Sequence, residues 1–324
     1  MSATLRDPRI ADPRIAVVGA GGVGGVLGGR LAAAGTPVRF LARGEQLAAL
    51  RSTGLQVSDA AGDWSVPAPA VSASDDPREL GEVDLVLLCV KTPQLPAALD
   101  ALPPLLGPTT AVVTVQNGVE APEQVAVRFG RDRVLPGLAR VVATRTAPGR
   151  VRQLGPPAAL GFAEWDGSTS DRVARLREVL RAASVTAPEP ADIWAELWAK
   201  FLLVVPVGSL GAATGGATIG QLRERDGTRQ LLVAAMREIE RTARALGIDL
   251  PADAVETATA LMDRQPPDAA TSLQRDLLAG RPSELDAWTG AAVRLAARAG
   301  EPAPVLGLLY ELLAARSSLS GEHR

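Results

Sequence analysis

Two lysines and one asparagine stand out among the polar side chains that could do chemistry in this 324-residue chain. Among its 34 basic residues only Lys91 and Lys200 are lysine, and Asn117 is the single asparagine. Arginine can replace lysine wherever only solvation is needed, but arginine does not release a proton near neutral pH. The two lysines are therefore candidates for proton transfer, and Asn117 is a candidate for a specific hydrogen bond.

Lys200 lies in a segment, residues 193–203, whose apolar spacing predicts a helix. The apolar run after it predicts partial burial, which lowers a lysine pKa towards the range of a general acid. The alternative is a surface ion pair with Glu196 four positions earlier, worth a few tenths of a kcal/mol.

A glycine-rich turn follows a short apolar strand near the N-terminus and opens a helix. That context predicts a dinucleotide site, in which the turn and the helix N-terminus hold a pyrophosphate. The residues of the turn are Gly19, Ala20, Gly21, Gly22, Val23 and Gly24. The second strand ends in Arg43, with no carboxylate before Glu45, and this favours NADP over NAD because arginine can bind a 2′-phosphate.

Lys91 and Asn117 each follow an apolar strand, where open α/β sheets bind ligands. A solvated loop lysine and an Asn-Gly turn are the alternatives. Ser272 and Glu284 each fit a helix N-terminus equally well, so residue type alone assigns neither of them a function.

Strand and helix patterns alternate in the first half, which predicts an α/β Rossmann-type domain over residues 1–188. Apolar residues at three- and four-residue spacing then predict an all-helical second domain over residues 189–324. Strands are expected at 14–18, 37–41, 84–90 and 111–115, with two more around a Gly62-Asp63 turn. Three further strands, at 133–144, 150–154 and 158–162, are expected to be antiparallel because their connections are short.

Composition excludes several classes of protein. A net charge of −2 favours neither nucleic acid nor an anionic membrane, and the uncharged run 201–220 fits a buried helix followed by a turn. One cysteine, Cys89, and one histidine, His323, make a disulfide framework, a serine triad and a metal site improbable. With no signal peptide, a cytoplasmic location is expected. The late apolar helices fit either a domain core or a homodimer interface.

The ordered set of motifs resembles the ketopantoate reductases (2-dehydropantoate 2-reductases) over nearly the whole chain. The resemblance rests on the glycine turn, Arg43, Lys91, the Gln116-Asn117-Gly118 run, the 195–200 helix, and Ser272 twelve residues before Glu284. It implies NADPH-dependent reduction of a small 2-oxo acid, ketopantoate to pantoate in pantothenate biosynthesis.

The resemblance also implies a role for each site residue. Lys200 would be the general acid, and Glu284 would bind the substrate hydroxyl. Asn117 would bridge nicotinamide and substrate, Ser272 would contact the substrate carboxylate, and Lys91 would lie near the nicotinamide ribose and substrate.

The chain departs from the family at two positions that follow Lys200. The family has substrate-contacting asparagines there, whereas this chain has Val204 and Gly208, with Ser209 as a conjectural substitute. A related reductase acting on a less polar 2-oxo acid, a β-hydroxyacid dehydrogenase-like enzyme and a non-catalytic NADP sensor are the alternatives. A screen of 3-hydroxy acids against 2-oxo acids distinguishes the enzymes, and NADPH binding without turnover would support the sensor.

Overall fold

The computed structural model describes residues 13–321, so His323 lies outside the described part of the chain. The chain forms two compact units. The first comprises residues up to Val90, Gln94–Gln116 and Pro122–Ala191. The second comprises Lys91–Pro93, Asn117–Ala121 and the residues from Asp192 onwards. The segments that begin with Lys91 and with Asn117 thus belong to the helical unit, although each directly follows the first unit in sequence. The predicted boundary at residue 188 stays a proposal.

A mixed sheet of nine strands is the centre of the first unit within the described residues. The strands are β1 (Ile15–Val18), β2 (Val38–Leu41), β3 (Leu55–Asp59), β4 (Gly62–Val66), β5 (Ser72–Ser74), β6 (Val83–Leu88), β7 (Leu106–Thr114), β8 (Val134–Ala147) and β9 (Arg150–Phe162). Their spatial order is β4-β3-β9-β8-β7-β6-β1-β2-β5. Strands β5, β2, β1, β6, β7 and β8 run parallel, which confirms the predicted α/β class.

Two details of the predicted sheet are wrong, and the orientation of one further strand pair was not predicted. Residues 150–162 form one strand, β9, rather than two, and it runs antiparallel to β8 as expected. Strand β8 itself lies parallel to β7, because a helix at Ala121–Phe129 connects the two and allows the crossover that a parallel pair requires. The turn between β3 and β4 lies at residues 60–61, and Gly62, with φ of +124°, already begins β4.

Helices pack on the sheet and bury its central strands. They are α1 (Gly22–Ala33), α2 (Gly44–Ser52), α3 (Pro77–Leu80), α4 (Leu95–Ala101), α5 (Ala121–Phe129) and α6 (Asp171–Ala182). Val17, Phe40, Leu87 and Val113 are fully buried, as expected for strands that are covered on both faces. The sheet therefore has a rigid apolar interior from which the strand ends project.

The second unit is helical, as predicted. Its helices are α7 (Ile193–Ala213), α8 (Ile219–Glu224), α9 (Asp226–Ala245), α10 (Ala254–Asp263), α11 (Ser272–Leu278), α12 (Ala291–Ala299) and α13 (Pro304–Gly321). Helix α7 packs against α9, α10, α11 and α13. Asp192 caps its N-terminus by accepting hydrogen bonds from the amides of Trp194 and Ala195.

The structure differs from the predicted helices at two places. The pattern at 222–246 predicts one helix, but extended backbone at Arg225 (ψ of 119°) divides it into α8 and α9. A short π-helical segment, Asp286–Gly290, precedes α12.

Helix α7 is the one helix among the described residues that is long and apolar enough to span a membrane. This judgement rests on length and composition only, and 61% of its most apolar window is buried inside the protein. It is followed by a turn and α8, in agreement with the predicted buried helix and turn.

Candidate functional site

The glycine turn between β1 and α1 has the shape of a phosphate cradle. Gly19 has φ of +100°, and a Cβ atom there would lie 2.9 Å from Val90. A Cβ at Gly24 would lie 2.0 Å from the carbonyl oxygen of Gly19, so helix and turn can approach only with glycine. A Cβ at Gly21, by contrast, would meet no atom within 4 Å. The open space at Gly21 and the N-terminus of α1 fit a pyrophosphate.

Gln46 holds this turn in place, and the sequence analysis missed it. Its buried side chain donates from Nε2 to the carbonyl oxygen of Ala20 at 2.9 Å. Its Oε1 accepts from the amide of Gly149 at 2.9 Å, in the loop between β8 and β9. The amide thus links the cradle to a hairpin more than a hundred residues away. Only its place in the first turn of α2, close behind the second strand, could have indicated this role.

Arg43 stands at the end of β2, where its exposed side chain leads into α2. No carboxylate lies between the strand and Glu45. This arrangement fits a cofactor with a phosphate on its adenosine ribose, since a carboxylate at this position would select the free hydroxyl.

Lys200 and Asn117 meet although they are 83 residues apart. Lys200 Nζ donates to Asn117 Oδ1 at 2.7 Å, and the Lys200 side chain is half-buried on α7. Both belong to the helical unit. Gly118, with φ of +120°, turns the chain directly after Asn117, and a Cβ there would lie 3.1 Å from the carbonyl oxygen of Ala287. The structure therefore brings together the single asparagine and one of the two lysines of the protein.

Glu284 is buried and its carboxylate is held in a fixed position. Its Oε1 accepts from the amide of Thr92 at 3.1 Å and from the Thr92 hydroxyl at 2.9 Å. Thr92 directly follows Lys91, so one short segment carries both the lysine and the donor for Glu284. Neither interaction is visible in the sequence, because the partners are 192 residues apart.

Lys91 forms an ion pair with a residue that the sequence analysis did not select. Its Nζ lies 2.6 Å from Asp276 Oδ2, and Arg281 Nε donates to Asp276 Oδ1 at 3.1 Å. The Asp276 side chain is only 10% exposed, whereas that of Lys91 is 49% exposed. The buried carboxylate thus restrains a lysine that remains accessible. Asp276 lies four positions after Ser272 on α11, and that helical spacing is the signal that could have indicated it.

Ser272 is the first residue of α11 and does not cap it. Thr271 is the N-cap, and its Oγ1 accepts from the amide of Gln274 at 3.2 Å. The helix-cap alternative for Ser272 is therefore excluded, and its half-buried side chain begins the same helix that carries Asp276.

Ser209 does not supply the substitute contact suggested for it. It is fully buried, and its hydroxyl donates to the carbonyl oxygen of Val205 at 2.7 Å. The same hydroxyl pairs with Thr289 Oγ1 at 2.6 Å. The hydroxyl is thus used inside the helical packing, where a substrate does not reach it.

Two further side chains near the strand ends, those of Gln116 and Cys89, do not have the features of catalytic groups. Gln116 donates from Nε2 to the carbonyl oxygens of Leu88 and Val90 at 2.6 and 3.0 Å, and so ties the end of β7 to that of β6. Burial raises the pKa of the Cys89 thiol to about 12, so Cys89 is not a thiolate nucleophile at neutral pH.

Comparison with known proteins assigns the family. The model of ketopantoate reductase PanE/ApbA matches residues 15–167, and the model of its C-terminal part matches residues 192–317. A 2-dehydropantoate 2-reductase of Mesorhizobium japonicum is 32% identical, over 93% of this chain and 96% of its own length. A crystal structure of a PanE/ApbA family ketopantoate reductase from Ralstonia eutropha has a TM-score of 0.87 at 30% identity. It covers 95% of this chain and 99% of its own.

A second solved structure agrees, the 2-dehydropantoate 2-reductase of Geobacter metallireducens. It has a TM-score of 0.86 at 29% identity and covers 93% of this chain and 99% of its own. The chain therefore belongs to the ketopantoate reductase family, oxidoreductases that join a Rossmann-type nucleotide-binding domain to a helical C-terminal domain and act on a small molecule.

Proposed function

We propose that this protein reduces a 2-oxo acid with NADPH, and that ketopantoate, which it would convert to pantoate, is the substrate to test first. The observation that carries the proposal is the contact of Lys200 with Asn117, in the unit that also holds Glu284, Ser272 and Lys91. The names of the relatives support the choice of substrate. The role in pantothenate biosynthesis, the cytoplasmic location and a homodimer stay predictions.

The cofactor would be held by residues of the first unit. The turn Gly19–Gly24 and the N-terminus of α1 would bind its pyrophosphate, and Arg43 would bind the 2′-phosphate that distinguishes NADPH from NADH. When bound, NADPH supplies the hydride that the carbonyl carbon of the substrate receives.

Lys200 would supply the proton. Reduction of a carbonyl places negative charge on its oxygen, and an ammonium group at that oxygen both stabilises the charge and donates the proton. Asn117 Oδ1 accepts one hydrogen bond from Lys200 Nζ and so fixes the direction of the ammonium group.

The other residues would bind and orient the substrate. Glu284, held by Thr92, would accept a hydrogen bond from the hydroxyl group that the reduction forms at the former carbonyl carbon. Ser272 would contact the substrate carboxylate from the first turn of α11. Lys91, restrained by Asp276, would add positive charge for the same carboxylate and for the nicotinamide ribose.

The direct test compares NADPH oxidation with ketopantoate in the wild type, Lys200→Ala and Lys200→Arg. Both variants should lose roughly 10²–10⁴-fold in kcat, as expected when a general acid is removed. Arginine keeps the charge but does not release a proton, so Lys200→Arg separates proton donation from charge stabilisation. NADPH binding and thermal unfolding serve as controls for folding. Equal turnover of the wild type and Lys200→Ala would refute the role of Lys200.

A further inference from the structure

Beyond Lys200, towards the C-terminus of α7, the face of the helix that carries this lysine has no polar side chain at the next two positions. Residues four and eight positions further along a helix lie on the same face, and these are Val204 and Gly208. Val204 is half-buried, so part of its apolar side chain remains accessible one turn from Lys200. Gly208 is buried and contributes no side chain at all.

The space beside Gly208 is filled by neighbours. A Cβ atom at this position would lie 2.9 Å from Thr271 Oγ1 and 3.1 Å from the ring of Trp288. Trp288 is only 2% exposed. A longer polar side chain at position 208 would therefore displace these neighbours, and the indole closes this part of the face with an apolar surface.

Three polar side chains near this face, Ser209, Gln274 and Thr271, make hydrogen bonds within the protein. Ser209 hydrogen-bonds to Val205 and Thr289. Gln274 donates from Nε2 to the carbonyl oxygen of Ala217 at 2.9 Å, and Thr271 caps the amide of Gln274. Of the two positions that continue this face beyond Lys200, Val204 is thus the one with a partly accessible side chain.

We infer that Val204 determines specificity, and that this site takes 2-oxo acids whose substituent is branched and apolar rather than hydroxylated. The inference rests on the proposed function, because it places the substrate beside Lys200. A hydroxyl against Val204 would lose its hydrogen bonds to water without gaining one from the protein, which disfavours a hydroxylated substrate.

The test uses two substrates that differ in one atom. Ketopantoate and 3,3-dimethyl-2-oxobutanoate have the same carbon skeleton, and only ketopantoate carries the terminal hydroxyl. A pocket that binds this hydroxyl rejects the analogue without it by roughly 10⁴–10⁵-fold, whereas an apolar pocket discriminates against an added hydroxyl by at most about 10²-fold. We therefore expect kcat/KM for the dimethyl analogue to equal or exceed that for ketopantoate, by up to roughly 100-fold. The dissociation constants of both acids for the NADP⁺-saturated protein should show the same order.

Val204→Asn should shift the preference between the two acids towards ketopantoate. An amide at position 204 can bind the hydroxyl, so the ratio of kcat/KM for ketopantoate to that for the analogue should rise roughly tenfold. Val204→Thr, which has nearly the same shape, is the second variant if the asparagine variant does not fold. Val127→Asn is the matched control, because Val127 is 80% exposed in the other unit, and it should leave the ratio unchanged.

The outcomes separate the inference from the proposed function. A higher kcat/KM for ketopantoate than for the analogue in the wild type would overturn the inference and leave the reductase activity standing. An unchanged ratio in folded Val204→Asn and Val204→Thr would also overturn it. Failure to reduce any 2-oxo acid would refute the proposed function, and the inference with it.

Discussion

At the level of single residues, Arg43 after β2 is the proposed determinant of which dinucleotide this unit binds. Arg43 is exposed, lies two residues after the end of β2 and precedes Gly44, the first residue of α2, whose φ is +56°. Its guanidinium group is therefore presented at the strand end, where a Rossmann-type domain binds the adenosine ribose.

Arg43→Ala should raise KM for NADPH roughly 10–100-fold, because a charge-assisted hydrogen bond to phosphate is lost. KM for NADH, which lacks the phosphate, should stay the same, and this comparison within one variant is the control. Steady-state kinetics with the two cofactors measures both values. An equal rise in both KM values would show that Arg43 supports the fold of the cradle rather than binding the phosphate.

At the scale of elements, Arg294 joins the two segments that carry Asn117 and Glu284. It lies on α12 and donates to Glu120 Oε2 at 2.9 Å, three residues after Asn117. It also donates to Asp286 Oδ1 at 2.7 Å, in the π-helical segment that follows Glu284. One side chain thus fixes the relative position of a loop and a helix within the same unit.

Arg294→Ala should lower kcat roughly 10–100-fold with a smaller change in KM, since a displaced catalytic group costs rate even where the substrate still binds. Arg294→Lys should restore the rate only in part, because one ammonium group does not reproduce a planar fork. Both constants come from initial rates at saturating NADPH.

Arg298→Ala is the control for this prediction, because Arg298 is an exposed arginine on the same helix. Its kcat and KM should equal those of the wild type. A lower unfolding temperature of Arg294→Ala with unchanged kcat would contradict the positioning role.

Across the molecule, carboxylates that accept hydrogen bonds make the free energy of unfolding depend on pH. A hydrogen bond from Trp64 Nε1 is the main cause that lowers the pKa of Asp59. Hydrogen bonds from Arg14 and Arg229 likewise lower the pKa values of Asp84 and Asp263. Below their ordinary pKa, near 3.8, these groups bind more protons in the unfolded chain than in the folded one. Acid therefore favours unfolding, and the stabilisation is lost as the pH falls through the lowered values.

The unfolding temperature of the wild type should thus fall as the pH is lowered from about 5 to about 3. Asp59→Asn should cost about 1–3 kcal/mol near neutral pH, because the mostly buried Asp59 also accepts from Arg30 at 2.8 Å. The difference from the wild type should shrink below about pH 4, because Asp59 of the unfolded wild-type chain then binds a proton that the folded chain binds only at lower pH. Thermal unfolding followed by circular dichroism measures it.

Asp63→Asn serves as the control, since Asp63 is exposed on the neighbouring strand β4. Its unfolding temperature should follow that of the wild type at every pH. A constant difference between Asp59→Asn and the wild type down to pH 3 would refute the linkage.

Local sequence patterns were sufficient to predict most of the helices and strands. Alternating strands and helices predicted the parallel sheet, and three- and four-residue spacing predicted α7 and α13, because these patterns depend on which face of a short segment is buried. The same patterns did not predict that β9 is continuous through Gly155 and Pro156, or that β8 lies parallel to β7. Strand pairing depends on partners distant in sequence, which periodicity does not record.

Residue types alone set the chemistry that is available to this protein: a glycine turn that fits a phosphate, an arginine in place of an acidic residue after β2, and only two lysines as proton donors. The partner of each of these groups depends on how distant segments pack together. This packing paired Lys200 with Asn117 and Lys91 with Asp276, and it placed Thr92 against Glu284. It also enclosed the Ser209 hydroxyl and left Val204 beside the lysine. The physical reason is that residue type sets what a group can donate or accept, whereas long-range packing sets which groups come within hydrogen-bond distance.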